Sequence, residues 1–126
     1  MVKTKRPVDL PLIKIRLPIG GIISIVHRFT GALLVLILPL ATYWLDRSLE
    51  TEKGFHEASN FLDAPVVRFV TVIVLLIFIQ HLVSGVRHLL LDLQIGINRS
   101  AARRTAWATP VVTLVLTAIC VWAIYQ

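Results

Sequence analysis

Residues 69–86 read FVTVIVLLIFIQHLVSGV, eighteen positions without one Asp, Glu, Lys or Arg. Two further charge-free runs flank it in the sequence, residues 29–45 and residues 105–126. Crossing a hydrocarbon core takes roughly 20 helical residues at about 1.5 Å each, so the first two runs span only by absorbing flanking polar residues or tilting little. The whole chain fits that reading. Of its 126 residues 56% are hydrophobic and 16% charged, with mean hydropathy +0.79, too few polar side chains to cover the surface of a soluble domain. The expected class is an all-α membrane protein with three transmembrane helices. As one membrane-anchor domain it divides into a basic segment 1–18, helix I over 19–45, an outer connection 46–63, helix II over 64–92, an inner connection 93–104 and helix III over 105–125. The long basic start and the absence of a small-residue cleavage pattern favour an uncleaved helix I over a secretory signal.

Charge orients the expectation. The net charge is +6. Residues 1–28 hold six cations and Asp9, residues 46–68 hold three cations and five carboxylates, and residues 87–104 hold four cations and Asp92. Positively charged short segments stay inside, which sets the N-terminus cytoplasmic, the first connection outside, the second inside and the C-terminus periplasmic. Tyr43, Trp44, Trp107, Trp122 and Tyr125 then form an aromatic belt. The apolar excess argues for membrane lipid and against nucleic acid as the partner of the positive charge. The single cysteine, Cys120, allows no internal disulfide and no CxxC motif.

Ionisable groups enter the first two helices at helical spacing. Ser24, His27, Arg28 and Gly31 share one face near the inner surface, where an arginine fork and a serine hydroxyl can meet a carboxylate, a phosphate or a quinone carbonyl. Snorkelling of Arg28 to lipid phosphates accounts for the same spacing. In helix II, His81, Ser84, Gly85, His88 and Asp92 fall together, with His81 and His88 about 10.5 Å apart along the axis, too far to share one mononuclear metal. His81 is the deeper group and Ser84 and Gly85 leave space beside it for something flat. That combination suggests haem, with Arg87, His88 and Arg28 on the inner side for its propionates. Structural pairing of His81 with another helix remains open on the same residues. His27 is set too near the inner end to match the depth of His81, so a six-coordinate haem would need a histidine from another chain.

The strings RPVDL, SIVHRFTG (24–31) and HLVSGVRHLLLDL (81–93) together resemble the cytochrome b membrane-anchor subunit of succinate dehydrogenase, and the likeness covers nearly the whole chain. The opening, RPVDLPLIKIRLP, departs from the commoner family continuation to SPHL. The resemblance implies a bacterial inner-membrane, multi-pass subunit that anchors a flavoprotein subunit and an iron-sulfur subunit together with a second membrane anchor subunit. A higher oligomer of the complex is compatible with it. It implies haem b, with His81 as one axial ligand and the other from the partner anchor. It assigns Ser24 and Arg28 to the ubiquinone site, and His27, Arg28, Arg87 and His88 to propionates or the surrounding polar network. Asp92 would have an ionic or supporting role. FAD and iron-sulfur clusters would sit only in partner subunits, where succinate is oxidised. The anchor of a fumarate reductase and a noncatalytic membrane assembly or interaction protein are the alternative readings. A channel or transporter fits less well, since the spans carry no membrane-centred carboxylate.

Overall fold

The computed structural model describes residues 17–126; the basic N-terminal segment up to Arg16, including RPVDL, lies outside the described residues. Four helices follow one another: α1 (Ile19–Glu50), α2 (Glu52–Asp63), α3 (Pro65–Asp92) and α4 (Arg99–Ile124). Helices α1, α3 and α4 are each long and apolar enough to cross a membrane. At 32, 28 and 26 residues they measure about 48, 42 and 39 Å, longer than the roughly 30 Å hydrocarbon core, so each carries polar turns beyond it.

Local chemistry sets the helix ends. Pro18 precedes α1 and its carbonyl accepts from the amides of Gly21 and Ile22 at 2.8 and 3.2 Å. Thr51 caps α2 by accepting from the Gly54 amide at 3.0 Å, and Pro65 opens α3, where its missing N–H has no intrahelical partner to lose. Asn98 caps α4 by accepting from the Ala101 amide at 2.8 Å. That cap starts α4 at Arg99, more than a turn before the apolar run, and Pro110 stands inside the helix. Pro39 is likewise interior to α1, which continues to Glu50.

The turn from α3 to α4 is a Schellman closure. The Ile95 amide donates to Leu90 O and the Gln94 amide to Leu91 O, each at 2.9 Å, with Gln94 in the left-handed region at φ 61°. Gly96 follows at φ 75°. Glycine would be the unstrained choice at the first position, and this chain has glutamine there.

Packing is inverted relative to a water-soluble bundle. Apart from Ile23 and Ile79, the buried side chains are small or polar, among them Ser84, Thr109, Thr113, Thr117 and Ala106, whereas Leu36, Val35 and Val66 are at least 70% exposed. Helices associating in lipid gain little from hiding apolar surface from one another, so small residues and interhelical hydrogen bonds form the contact. Thr109, Thr113 and Thr117 place one stripe of α4 against α3. Thr113 donates to Gln80 Oε1 at 2.9 Å, and Gln80 Nε2 donates to Ser84 Oγ at 2.8 Å. Every buried side-chain nitrogen and oxygen among the described residues has a hydrogen-bond partner. Helix α3 runs antiparallel to both α1 and α4, and α2 folds back across one end, where Phe61 stacks on Trp44 with centroids 4.3 Å apart.

Replacing Gln94 with glycine relieves the left-handed strain and is expected to stabilise the protein by about 0.5–1 kcal/mol, net of the entropy glycine adds to the unfolded chain. The midpoint of unfolding in mixed detergent micelles measures it; an unchanged or lowered midpoint contradicts the assignment of strain.

Candidate functional site

Where α1 and α3 cross, each helix lacks a side chain at the point where the other presents a histidine. A Cβ built on Gly31 would lie 2.9 Å from His81 Cε1, and one on Gly85 would lie 3.2 Å from His27 Nε2. The two glycines let the imidazoles lie against the opposite backbone. The rings of His27 and His81 stack with centroids 4.2 Å apart and planes 9° from parallel, and His88 closes on the other side of His27 at 5.0 Å. The expected separation in depth between His27 and His81 is therefore corrected. Position along a helix from its own charged flank does not set the offset between two helices, and their register places His27 against Gly85, one turn from His81.

Hydrogen bonds fix how these rings are turned. His81 Nδ1 lies 3.1 Å from the carbonyl oxygen of His27 and 3.4 Å from Thr30 Oγ1. A carbonyl oxygen only accepts, so Nδ1–H donates to it, and in that tautomer the lone pair of the neutral ring is on Nε2. Thr30 shares its own proton between Val26 O and His27 O, both at 2.9 Å. His88 is held in the same manner, its Nδ1–H donating to Ser84 O at 2.6 Å. His81 lines a groove of about 530 Å³ on the α1/α3 face, whose other walls include Gly31, Leu34, Leu38, Leu75 and Phe78.

This donor set suits haem. One imidazole, its Nδ1–H committed to a backbone carbonyl, lies beside an apolar groove, which is the arrangement an iron porphyrin needs from one chain. Stacked parallel rings cannot direct their in-plane lone pairs at one atom from opposite sides, so His27 and His81 in this arrangement do not form an axial pair. Nor do three or more His, Cys, Asp or Glu side chains converge to hold a bare metal ion among the described residues.

The structure separates residues that the sequence set side by side. His27, His81 and His88 come together between α1 and α3. Arg87 is buried at 9% exposure where α1, α3 and α4 meet: its Nε donates to Thr105 Oγ1 at 3.3 Å, its Nη2 donates to Ala102 O at 3.2 Å, and a Cβ built on Gly20 would lie 3.5 Å from that Nη2. It ties the end of α3 to the start of α4. Arg28 is exposed, Ser24 is half-buried, and Asp92 is exposed without an ion pair among the described residues. Thr30 and Gln80 carry the hydrogen bonds of the site and its neighbouring interface but did not stand out in the sequence. A glutamine in the middle of an apolar run was the available signal for Gln80; Thr30 had none, because its role depends on a ring from another helix.

A three-span helical bundle with a histidine cluster between its first two spanning helices is the class this architecture defines. Residues 3–120 match the family described as succinate dehydrogenase/fumarate reductase transmembrane subunit, and the chain belongs to that family as a bacterial membrane-anchor subunit of the cytochrome b556 type. It is 32% identical over 125 residues to the succinate dehydrogenase cytochrome b556 subunit of Coxiella burnetii, covering 96% of this chain and 100% of that one. The protein of the same name from Paracoccus denitrificans is 31% identical over 90% of each chain. That of Rickettsia felis is 29% identical, over 92% of this chain and 90% of its own. Three apolar spanning helices and this bacterial membership make it a multi-pass inner-membrane protein and a subunit of a redox complex.

Replacing Arg87 with leucine removes two hydrogen bonds from a charged donor, each worth about 1.5–3 kcal/mol. Proteolysis within residues 93–98 should accelerate roughly tenfold or more. Unchanged cleavage would show that Arg87 does not hold the turn.

Proposed function

We propose that this chain is the haem b-binding membrane anchor of succinate dehydrogenase and contributes to the site where ubiquinone is reduced. The observation that carries the reading is the His81 imidazole, whose Nδ1–H is committed to the His27 carbonyl and whose ring lines an apolar groove against side-chain-free Gly31. His81 Nε2 is the atom that would take the iron. The partner anchor subunit would supply the iron's other ligand, in keeping with the stacked arrangement of His27. His27 and His88 stand at the inner side of His81 and, with Arg28, supply donors suited to propionates. Arg87, whose guanidinium lies against Gly20 of α1 while it holds the α3–α4 end, belongs to the surrounding polar network. Bound haem b would supply a one-electron store beside the quinone site.

The chain's own contribution to quinone reduction is positional and electrostatic. Ser24 and Arg28, one helical turn apart, offer a hydroxyl and a guanidinium fork to a quinone carbonyl oxygen, whose negative charge grows as electrons arrive from the iron-sulfur subunit. Reduction to quinol also takes two protons. No Asp or Glu stands on α1 before Asp46, so ordered water or partner side chains deliver them. Succinate is oxidised on the flavoprotein subunit, with FAD and the iron-sulfur clusters outside this chain. In this reading the basic segment 1–18 and the 93–98 turn face the cytoplasm, and α2 and the C-terminus face the periplasm. The family description also covers fumarate reductase; quinone type and the kinetic bias of the assembled complex separate the two directions.

Replacing His81 with leucine should abolish or alter the low-spin haem absorption of the purified complex. An unchanged spectrum and haem content would sink the ligand assignment, and absence of haem from the unaltered complex would leave a noncatalytic assembly protein. Replacing Arg28 with leucine should lower quinone reduction by roughly a hundredfold, the scale for losing a donor to developing negative charge, while dye-coupled succinate oxidation persists. Equal loss of both activities points instead to failed assembly.

A further inference from the structure

The two ends of the bundle treat their cations differently. At the α2 end each arginine and lysine has a carboxylate: Arg47 meets Glu50 and Glu57, Lys53 meets Glu57, and Arg68 meets Asp63 at 2.9 Å while lying over the Tyr125 ring. At the opposite end Arg99, Arg103 and Arg104 are exposed and make no ion pair among the described residues. With Ser100 and Trp107 they line a concavity of about 630 Å³ on the first turns of α4. Taking about 100° per residue, the centre of this group lies roughly 100° around the helix from the buried stripe of Ala106, Thr109, Thr113 and Thr117. It is a separate surface from the α3 contact and from the histidine cluster.

What continues from the concavity identifies its occupant. Arg99, Arg103, Trp107, Val111 and Val115 succeed one another at four-residue spacing, and all are exposed, Trp107 at 58%, Val111 at 61% and Val115 at 53%. The ridge passes from cationic through an indole to aliphatic, with the charge-free run beginning at Thr105. An acidic protein surface would use the arginines and leave the apolar continuation unexplained. An amphiphile with an anionic head uses both, since its phosphate meets the guanidinium forks while its acyl chain follows the valines, and tryptophan favours the boundary between the two.

We propose that Arg99, Ser100, Arg103, Arg104 and Trp107 form a binding site for an anionic phospholipid, with the headgroup phosphate among the arginines and an acyl chain along Val111 and Val115. The assembled complex, exchanged into nanodiscs of phosphatidylcholine with phosphatidylglycerol, re-extracted and washed, should retain phosphatidylglycerol preferentially, identified by mass together with its acyl chains. Combined replacement R99Q, R103Q and R104Q should lower that retention, by roughly fivefold per arginine, with subunit composition unchanged. The single variants R99Q and R103Q make the same comparison should the combined variant fail to accumulate. Undiminished phosphatidylglycerol in the variants overturns the proposal. So does loss of the other subunits with phosphatidylglycerol still retained, which would assign this face to a protein contact.

Discussion

The reciprocal seating of His81 on Gly31 and His27 on Gly85 is the contact on which the remaining arrangement depends. A Cβ on Gly31 would collide with the His81 ring and one on Gly85 would crowd His27, so this close approach of α1 and α3 relies on histidine and glycine coinciding. This fixes both spacing and register. A shift of one helical turn would drive a ring against Leu34 or His27 positions that have side chains, and would part His81 Nδ1–H from the His27 carbonyl. Burying an unpaired imidazole donor costs more than losing an ordinary hydrogen bond, which penalises such shifts further.

The same economy of polar groups extends through the α3–α4 contact. Thr113, Gln80 and Ser84 form a continuous chain of donors and acceptors, and Arg87 finds a hydroxyl and a carbonyl at the start of α4. In lipid such bonds average well under 2 kcal/mol each, so their value lies less in total stability than in selecting one packing from many similar ones. Serine and threonine serve well there because they are small and can return a proton to their own helix, as Thr30, Thr109 and Thr117 do. The result is a bundle with a polar interior and an apolar exterior, in which a groove beside His81 persists without leaving unsatisfied groups.

The charge distribution gives the two ends different physical characters. At the α2 end carboxylates and cations largely satisfy one another, and Trp44, Phe61 and Tyr125 add aromatic contacts. At the other end the described cations meet neutral oxygens or project outward. One arginine there is structural and buried, Arg87, and the others are exposed; a count of positive charge treats them alike, although they do different work.

The sequence by itself determined the class of fold, the three spans and the family, because charge-free length and the joint spacing of SIVHRFTG and HLVSGVRHLLLDL are properties of the chain read in order. It also brought forward His81, Gly31 and Gly85, since helical periodicity sets which residues share a face. It did not show that His27 stacks on His81, that Thr30 Oγ1 reaches the edge of the His81 ring, or that Arg87 bonds to α4 while neighbouring His88 faces His27. Adjacent residues on a helix diverge by about 100°, so side-by-side positions need not share a partner. Those features depend on the register between helices, which no single helix contains. Only the tertiary structure decided it, through two histidines that fit where two glycines leave room.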